Sequence, residues 1–264
     1  MKKNRVTGLV SAGGISESFL QRMPVLLRAL GPVKAASFPV ARRIVNSLHA
    51  GFAVAEYGPL GSCDLIWLAV PDGMLDRIVG ELAARTKLEG TMIVPCGSAR
   101  DSASLRRLAG GARVATLNVV ADSDERMLIG EGHPDVMRRL FRLAAAEKRK
   151  LVEIRPGCKP VYLAGAHLAT HLLLPWIGAA VESLRMAGFS RSEATTAVQA
   201  MGSRVLRGYI NAGRRAWGPA APLELHDALI RDIEDIRALD PRLAALYESG
   251  IQQALTFFED EQAR

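Results

Sequence analysis

The chain has 264 residues, long enough for two modest domains with a substantial core. Apolar residues make up 49% and charged residues 23%, an ordinary soluble globular composition. The formal net charge of +7 raises nucleic-acid binding, but the pairs Arg42–Arg43, Arg106–Arg107, Arg138–Arg139 and Arg214–Arg215 are dispersed and aromatic residues are only 5%. A solvated basic surface and an anionic small-molecule ligand are expected instead, with no nucleic-acid partner.

Cys63, Cys96 and Cys158 stand singly. Without C-x-x-C spacing they argue against a disulfide framework or a structural zinc, and suit a reducing cytoplasm. The basic start MKKNRV is followed by a short, glycine-broken apolar stretch, so no signal peptide is expected. Pro160–Val181 carries no Asp, Glu, Lys or Arg and has the length of a bilayer span. It also contains His167, Thr170, His171 and Pro175, which are costly in lipid, so a buried core helix or dimer helix is expected rather than a membrane segment.

In chain order, Val6–Val10 reads as a short apolar strand, and Ser16–Leu30 has helical apolar spacing with Pro24 inside it as a break or kink. A second strand is expected at Val33–Phe38 and a helix at Ala41–Ala50. Asp64–Val70 is a continuous apolar run ending at Pro-Asp-Gly, as a buried parallel strand does where it leaves the sheet at a ligand-side loop. There follow a helix over Asp76–Arg85, a strand over Thr91–Pro95, a short helix over Ser104–Ala109, strands over Arg113–Val120 and Arg126–Ile129, a helix over Asp135–Glu147 and a strand over Lys150–Ile154. This alternation predicts an α/β domain, a mostly parallel sheet with helices on both faces, over residues 1–155.

After Arg155-Pro156-Gly157 strand signals stop, and residues 156–264 are expected to form an all-helical domain. Its helices are placed at Pro160–Ala187, Arg191–Ala212, Pro222–Leu239 and Pro241–Glu261. Ser190 and Glu193 have the spacing of a capping box, and Asp240-Pro241 that of an N-cap followed by proline at the first helical position.

The stretch GLVSAGGISESF carries a degenerate G-x-G-x-x-G: Ser11 and Ser16 occupy the first and third glycine positions, and Gly13 keeps the middle one. In a dinucleotide fold the middle glycine lets backbone approach the pyrophosphate. The two serines are small, and Ser16 also suits a helix cap whose N-terminus offers amides to an anion. The turn follows the first strand of an alternating domain, as the fingerprint requires. No acidic residue occurs between Glu17 and Glu56 to hold a ribose 2′-hydroxyl; Ser37, Arg42 and Arg43 stand there, which favours NADP(H) over NAD(H). The alternative is that Arg42 and Arg43 belong to a solvated helix face.

SAGGISESF, then VPD at Val70–Asp72, CGS at Cys96–Ser98 and an all-helical second half resemble an uncharacterised bacterial family with a Rossmann-like domain and a helical domain of unknown function. That family is similar to pyrroline-5-carboxylate reductase, ketopantoate reductase and the 3-hydroxyacid and 6-phosphogluconate dehydrogenases. The resemblance implies NADP(H) binding and a 6-phosphogluconate-dehydrogenase-like helical domain that forms a homodimer and closes the site. It implies that Ala12, Gly13, Gly14 and Ile15 line the pyrophosphate, Val70, Pro71 and Asp72 border the adenosine or nicotinamide ribose, and Cys96, Gly97 and Ser98 lie near the nicotinamide end; Ser11, in the same loop, is a further cofactor-binding candidate. The chain departs at Ser11, and it has Thr116-Leu117-Asn118-Val119 where such proteins tend to carry Ser-Leu-His-Pro.

Hydride transfer needs a group that gives or takes a proton. Lys159, His167 and His171 lie on the first apolar helical stretch, the two histidines four residues apart and so on one face. His171 stands at the position of the asparagine that the 3-hydroxyacid dehydrogenases carry four residues after a lysine, and imidazole suits the acid's role. Asn118 is a weaker catalytic candidate, as are Tyr162 and His226-Asp227. Two histidines packed in a helical core is the competing reading. No metal is expected, because Leu168 stands where H-E-x-x-H needs glutamate. The expected function is a cytoplasmic NADP(H)-dependent oxidoreductase acting on a small carbonyl, imine or hydroxyacid. The alternative is a non-catalytic dinucleotide-binding or redox-sensing protein.

Overall fold

A computed structural model describes residues 6–13, 18–120, 127–217 and 221–262. The chain divides into two compact units, Met1–Gly165 and Ala166–Arg264.

The strands of the first unit are β1 (Thr7–Ser11), β2 (Leu30–Lys34), β3 (Phe52–Val54), β4 (Leu65–Ala69), β5 (Met92–Pro95), β6 (Arg113–Val119), β7 (Met127–Gly132) and β8 (Lys150–Glu153). They form one sheet of order β3-β2-β1-β4-β5-β6-β7-β8. Pairing is parallel from β3 across to β6; β7 runs antiparallel to β6, and β8 is parallel to β7. The chain therefore reverses its direction of travel across the sheet at β1, whose neighbours are β2 and β4.

The helices of this unit are α1 (Ser18–Gln21), α2 (Pro24–Arg28), α3 (Phe38–Leu48), α4 (Asp72–Arg85), α5 (Ser102–Arg106), α6 (Pro134–Ala146) and α7 (Lys159–Ala169), the last running on into the second unit. Strand alternation sorts side chains between two cores. Leu9, Leu65 and Trp67 join Leu26 of α2, Ile44 of α3 and Leu140 of α6. Val10, Ile66 and Leu68 join Leu75 and Leu82 of α4 and Leu105 of α5. A sheet buried on both faces explains why β4 reads as an unbroken apolar run.

Where the structure departs from the pattern, proline and glycine are the reason. The helix expected over Ser16–Leu30 is two short pieces. Pro24 has no N–H to continue a helix, so it starts α2 instead, and Leu30 is already strand. The second strand accordingly runs over Leu30–Lys34 rather than Val33–Phe38, and Phe38 opens α3. The three-residue edge strand β3 is too short to leave a sequence period. Gly132, at the β7 end, has φ +141, and a Cβ there would lie 2.4 Å from Ala115 Cα and 2.6 Å from Val114 O. Only glycine lets β7 pass β6 so closely before the chain turns into α6.

The second unit contains α8 (Leu174–Met186), α9 (Arg191–Ala212), α10 (Ala221–Leu239) and α11 (Pro241–Gln262). The capping box is present: Glu193 N donates to Ser190 Oγ at 3.3 Å, and Ser190 N donates to Glu193 Oε2 at 2.8 Å. Asp240 Oδ1 accepts from Arg242 N at 2.8 Å as the cap of α11. The single helix expected over Pro160–Ala187 is broken by a turn at residues 170–173, because Pro175 cannot donate back to residue 171 and instead sits in the first turn of α8. Nor is this stretch a buried core helix: Val161, Leu168, Leu172, Leu174 and Ile177 are exposed. By length and composition, Lys159–Met186 as a whole is long and apolar enough to cross a membrane. Its two helices of 11 and 13 residues each fall short of the roughly 20 residues that cross a bilayer.

Candidate functional site

In open parallel sheets, ligands bind outside the carboxyl ends of the strands where the strand order reverses. Here that place is the end of β1, between β2 and β4. Ser11 is buried there, and its Oγ accepts from Gly13 N at 3.0 Å, so the serine at the first-glycine position holds the turn by its side chain. Ala12 N donates to Ala69 O of β4 at 3.1 Å. Gly13 has φ +87, while among the described residues a Cβ added to it would meet only Val40 Cγ1 at 3.7 Å. That left-handed backbone conformation is a reason for glycine there. Gly14, Ile15 and Ser16 lie outside the described residues. The anion-binding helix N-terminus that the sequence places at Ser16 therefore lies outside the described residues as well.

Beside the turn is a cavity of about 520 Å³ at the carboxyl ends of β1, β2 and β3, walled by α4. Its charged lining is Lys34, Glu56, Arg77, Glu81 and Arg85, three cations to two carboxylates. Tyr57 anchors this wall. Its hydroxyl donates to Glu81 Oε2 at 3.0 Å, and Lys34 Nζ and Arg85 Cζ lie 5.3 Å and 5.9 Å from its ring centre. Burial, then the bond to Glu81, pushes the Tyr57 phenol up to about 12, so it remains a neutral donor through the physiological range. Arg85 pairs with Glu56 at 3.3 Å, and Arg77 approaches Glu81 at 4.0 Å. Lys34 Nζ donates to Ala35 O at 2.5 Å, a backbone carbonyl, so its charge has no paired carboxylate in that contact.

Ser37 and Arg42, expected at the adenosine ribose, lie at the start of α3 and on its exposed side, and neither lines this cavity. Lys34, Tyr57, Arg77 and Arg85 were missed. Lys34 could have been found once Pro24 was allowed to end the first helix, because the second strand then closes on a cation before Ala-Ala-Ser. Arg77 and Arg85 lie two turns apart on one face of α4, a spacing visible in sequence whose relation to β2 is not.

Further along the same edge, Val70 is buried and Pro71 precedes the first turn of α4. Asp72 Oδ2 accepts from Ala99 N at 2.9 Å, tying the turn after β4 to the turn after β5. Cys96 N donates to Leu68 O at 2.9 Å, and burial raises the Cys96 thiol far above its ordinary range, so it stays a neutral thiol. Gly97, at φ +70, donates its N–H to Leu117 O at 2.9 Å, and Asn118 Nδ2 donates to Ser98 O at 3.1 Å. The structure thus sets Ser11, Ala12, Gly13, Val70, Pro71, Asp72, Cys96, Gly97 and Asn118 along one edge of the sheet.

Lys159 is placed differently from a reactive amine. Only 2% exposed, its ammonium donates to Arg100 O at 2.5 Å and Thr116 Oγ1 at 2.7 Å, and lies 3.8 Å from Glu131 Oε1. Thr116 Oγ1 donates to Glu131 Oε1 at 2.9 Å, while Ser102 N and Oγ donate to Glu131 Oε1 and Oε2 at 2.8 Å each. Desolvation lowers the Lys159 pKa, against the opposing pull of Glu131, Asp72 and Asp101. This network joins β6, β7, α5 and the first turn of α7 through polar groups that satisfy one another. His167 and His171 belong to the second unit, where both are exposed with ring centres 5.9 Å apart and planes at 76°. Among the described residues, no three of His, Cys, Asp and Glu cluster to hold a metal ion.

No protein-family model and no curated protein sequence matches the chain. Solved structures do. A candidate NADP oxidoreductase from Bacteroides fragilis is 11% identical, with TM-score 0.72 over 96% of this chain and 98% of that one. An Aspergillus terreus imine reductase in complex with NADPH4 and dibenz[c,e]azepine is 14% identical, with TM-score 0.66 over 94% of each chain. A Coxiella burnetii pyrroline-5-carboxylate reductase is 10% identical, with TM-score 0.60 over 98% of each chain. The chain has a Rossmann-like fold. The turn after β1 and the cavity beside it lie at one end of that sheet edge, and Cys96–Asn118 further along it.

Proposed function

We propose that the protein is an NADP(H)-dependent oxidoreductase that reduces or oxidises a small carbonyl, imine or hydroxyacid. The observation that carries this reading is the basic cavity at the end of β2, where Lys34 takes the place of the acidic residue that holds an NAD ribose. The residues fit such a ligand. The cavity adjoins the Gly13 turn, and Lys34, Arg77 and Arg85 supply the positive charge that a 2′-phosphate needs. The likeness to structures described as NADP-dependent and imine-reducing adds support. When bound, the nicotinamide would supply the hydride; Ser11 and Gly13 would shape the backbone facing its phosphates, and Asp72 would hold the loop toward its reactive end. His171 is the proposed proton donor. The three free cysteines suit a reducing, cytoplasmic setting.

Titrating NADPH and NADH while following nicotinamide fluorescence tests the proposal. Saturable binding of NADPH, tighter than NADH, is expected; no binding of either at millimolar concentration defeats it. Turnover separates it from the second reading, a non-catalytic dinucleotide-binding or redox-sensing protein. That reading is favoured by Ser11 at the first-glycine position.

We further propose a homodimer formed through the second unit. Leu168, Leu172, Leu174 and Ile177, with Val205, Leu206 and Ile210 of α9, are large apolar side chains left exposed in this unit, and exposed apolar surface of this kind marks association sites. Sedimentation equilibrium is expected to return twice the 28.4 kDa chain mass. A stable monomer at micromolar concentration, or partition into lipid vesicles, would overturn this.

A further inference from the structure

Tyr57 meets three of the five charged side chains that line the cavity at the carboxyl ends of β1, β2 and β3. It is buried in one core with Leu60, and with Ile78 and Leu82 of α4, which fixes its position. Lys34 Nζ and Arg85 Cζ lie over its ring, 5.3 Å and 5.9 Å from the centre, close enough for a cation to be drawn to the aromatic face. Its hydroxyl donates to Glu81 Oε2 at 3.0 Å. The cavity's charges are sorted around this one side chain. Arg85 pairs with Glu56 at 3.3 Å, and Glu81 divides its two oxygens between the Tyr57 hydroxyl and Arg77, the latter at 4.0 Å. Lys34 donates to the Ala35 carbonyl and rests on the ring, and neither contact cancels its charge.

We infer that Tyr57 is a positioning residue that makes this cavity selective for a phosphate monoester: its ring gathers Lys34 and Arg85, and its hydroxyl ties down Glu81. Glu81 lines the same cavity as Lys34, so a Glu81 released from the hydroxyl would compete with an anion for that cation. A phosphate monoester brings about two negative charges and three acceptor oxygens, for which Lys34 can exchange a backbone carbonyl. Tyr57 suits the task because it stays neutral. With its phenol pushed up to about 12 by burial and by Glu81, it donates throughout the physiological range and adds no negative charge to the site.

The inference deepens the proposed function and rests on it for the identity of the ligand, the ribose 2′-phosphate that distinguishes NADP(H) from NAD(H). The anion site itself does not depend on hydride transfer. All of its members come from the first unit, from β2, the segment after β3, and α4.

Isothermal titration of the full-length protein with adenosine 2′-monophosphate, NADPH and NADH tests this. The wild type is expected to bind adenosine 2′-monophosphate. Tyr57→Phe keeps the ring and its packing but removes the hydroxyl. It is expected to weaken adenosine 2′-monophosphate and NADPH by about 3- to 10-fold, the effect of one hydrogen bond, and NADH by less than about twofold. In a Glu81→Gln background the same substitution is expected to change phosphate binding by less than about twofold, because the competing charge is gone. Tyr57→Leu, which also takes the ring from Lys34 and Arg85, is expected to lose more than Tyr57→Phe. The inference is overturned by a wild type that does not bind adenosine 2′-monophosphate at millimolar concentration, or by Tyr57→Phe binding it as the wild type does. Equal losses for NADPH and NADH, or a loss that persists with Glu81→Gln, overturn it too. If Tyr57→Phe does not fold, Glu81→Gln alone decides: adenosine 2′-monophosphate bound more tightly than by the wild type supports the inference, and unchanged or weaker binding overturns it. Failure of the oxidoreductase reading shows separately, as adenosine 2′-monophosphate binding that responds to Tyr57→Phe without any turnover of NADPH.

Discussion

Lys34→Ala is expected to raise the Kd for NADPH by about 10- to 100-fold and leave that for NADH within about twofold. A hydrogen bond to a charged group contributes about 1.5–3 kcal/mol, and each 1.4 kcal/mol is tenfold in affinity. Lys34 ends β2, lines the cavity, and in the free protein donates to the neighbouring Ala35 carbonyl, a contact it can exchange for a stronger one to a phosphate. Arg77 and Arg85 lie within the same lining but face Glu81 and Glu56, so alanine at either is expected to cost less. Isothermal titration with the two cofactors checks the result. Equal losses for NADPH and NADH would place Lys34 elsewhere than at the 2′-phosphate, and no loss for either would remove it from the site.

The second large effect is on stability. Lys159→Met is expected to destabilise the protein by about 3–5 kcal/mol, the usual consequence of removing one partner from a buried ion pair. Glu131 would be left with its negative charge at 7% exposure, with neutral donors from Ser102 and Thr116 but no cation. Lys159→Met combined with Glu131→Gln is expected to recover part of that loss, because the orphaned charge is then gone. Urea unfolding followed by tryptophan fluorescence reads both, with Trp67 buried in β4 as a reporter within the same unit. A loss under about 1 kcal/mol for Lys159→Met would mean that the pair does not hold the fold. Because the ammonium is enclosed and engaged in that network, a loss of activity in this variant is expected to follow the loss of folded protein.

Local sequence was sufficient wherever the deciding interactions are local. The unbroken run Asp64–Val70 announces a strand buried on both faces, and β4 is one. Ser190 and Glu193 bond each other within three residues, so the start of α9 was readable to the residue. Asp240-Pro241 marks the start of α11 for the same reason. Proline was harder to weigh. Pro24 and Pro175 were visible as interruptions, yet whether a helix kinks or stops depends on what the freed carbonyls and the following residues pack against. At Leu30 the sheet claimed the chain, and strand pairing with Thr7 outweighed the helical period. That one difference shifted the end of β2 and concealed Lys34.

The sequence by itself determined the alternation of strands and helices, the change to an all-helical second half, the caps, and a turn at Gly13 with small neighbours, because each depends on contacts a few residues apart. The tertiary structure alone decided which charges face the cavity. Lys34, Tyr57, Arg77 and Arg85 come from β2, the segment after β3, and α4, and only parallel crossovers bring them to one edge. It also decided the fate of Lys159. In sequence this is a lone lysine ahead of an apolar helix; in the fold, Glu131 and Thr116 from paired strands meet it in the interior. Charge recognition across such separations depends on chain topology, which no local pattern encodes.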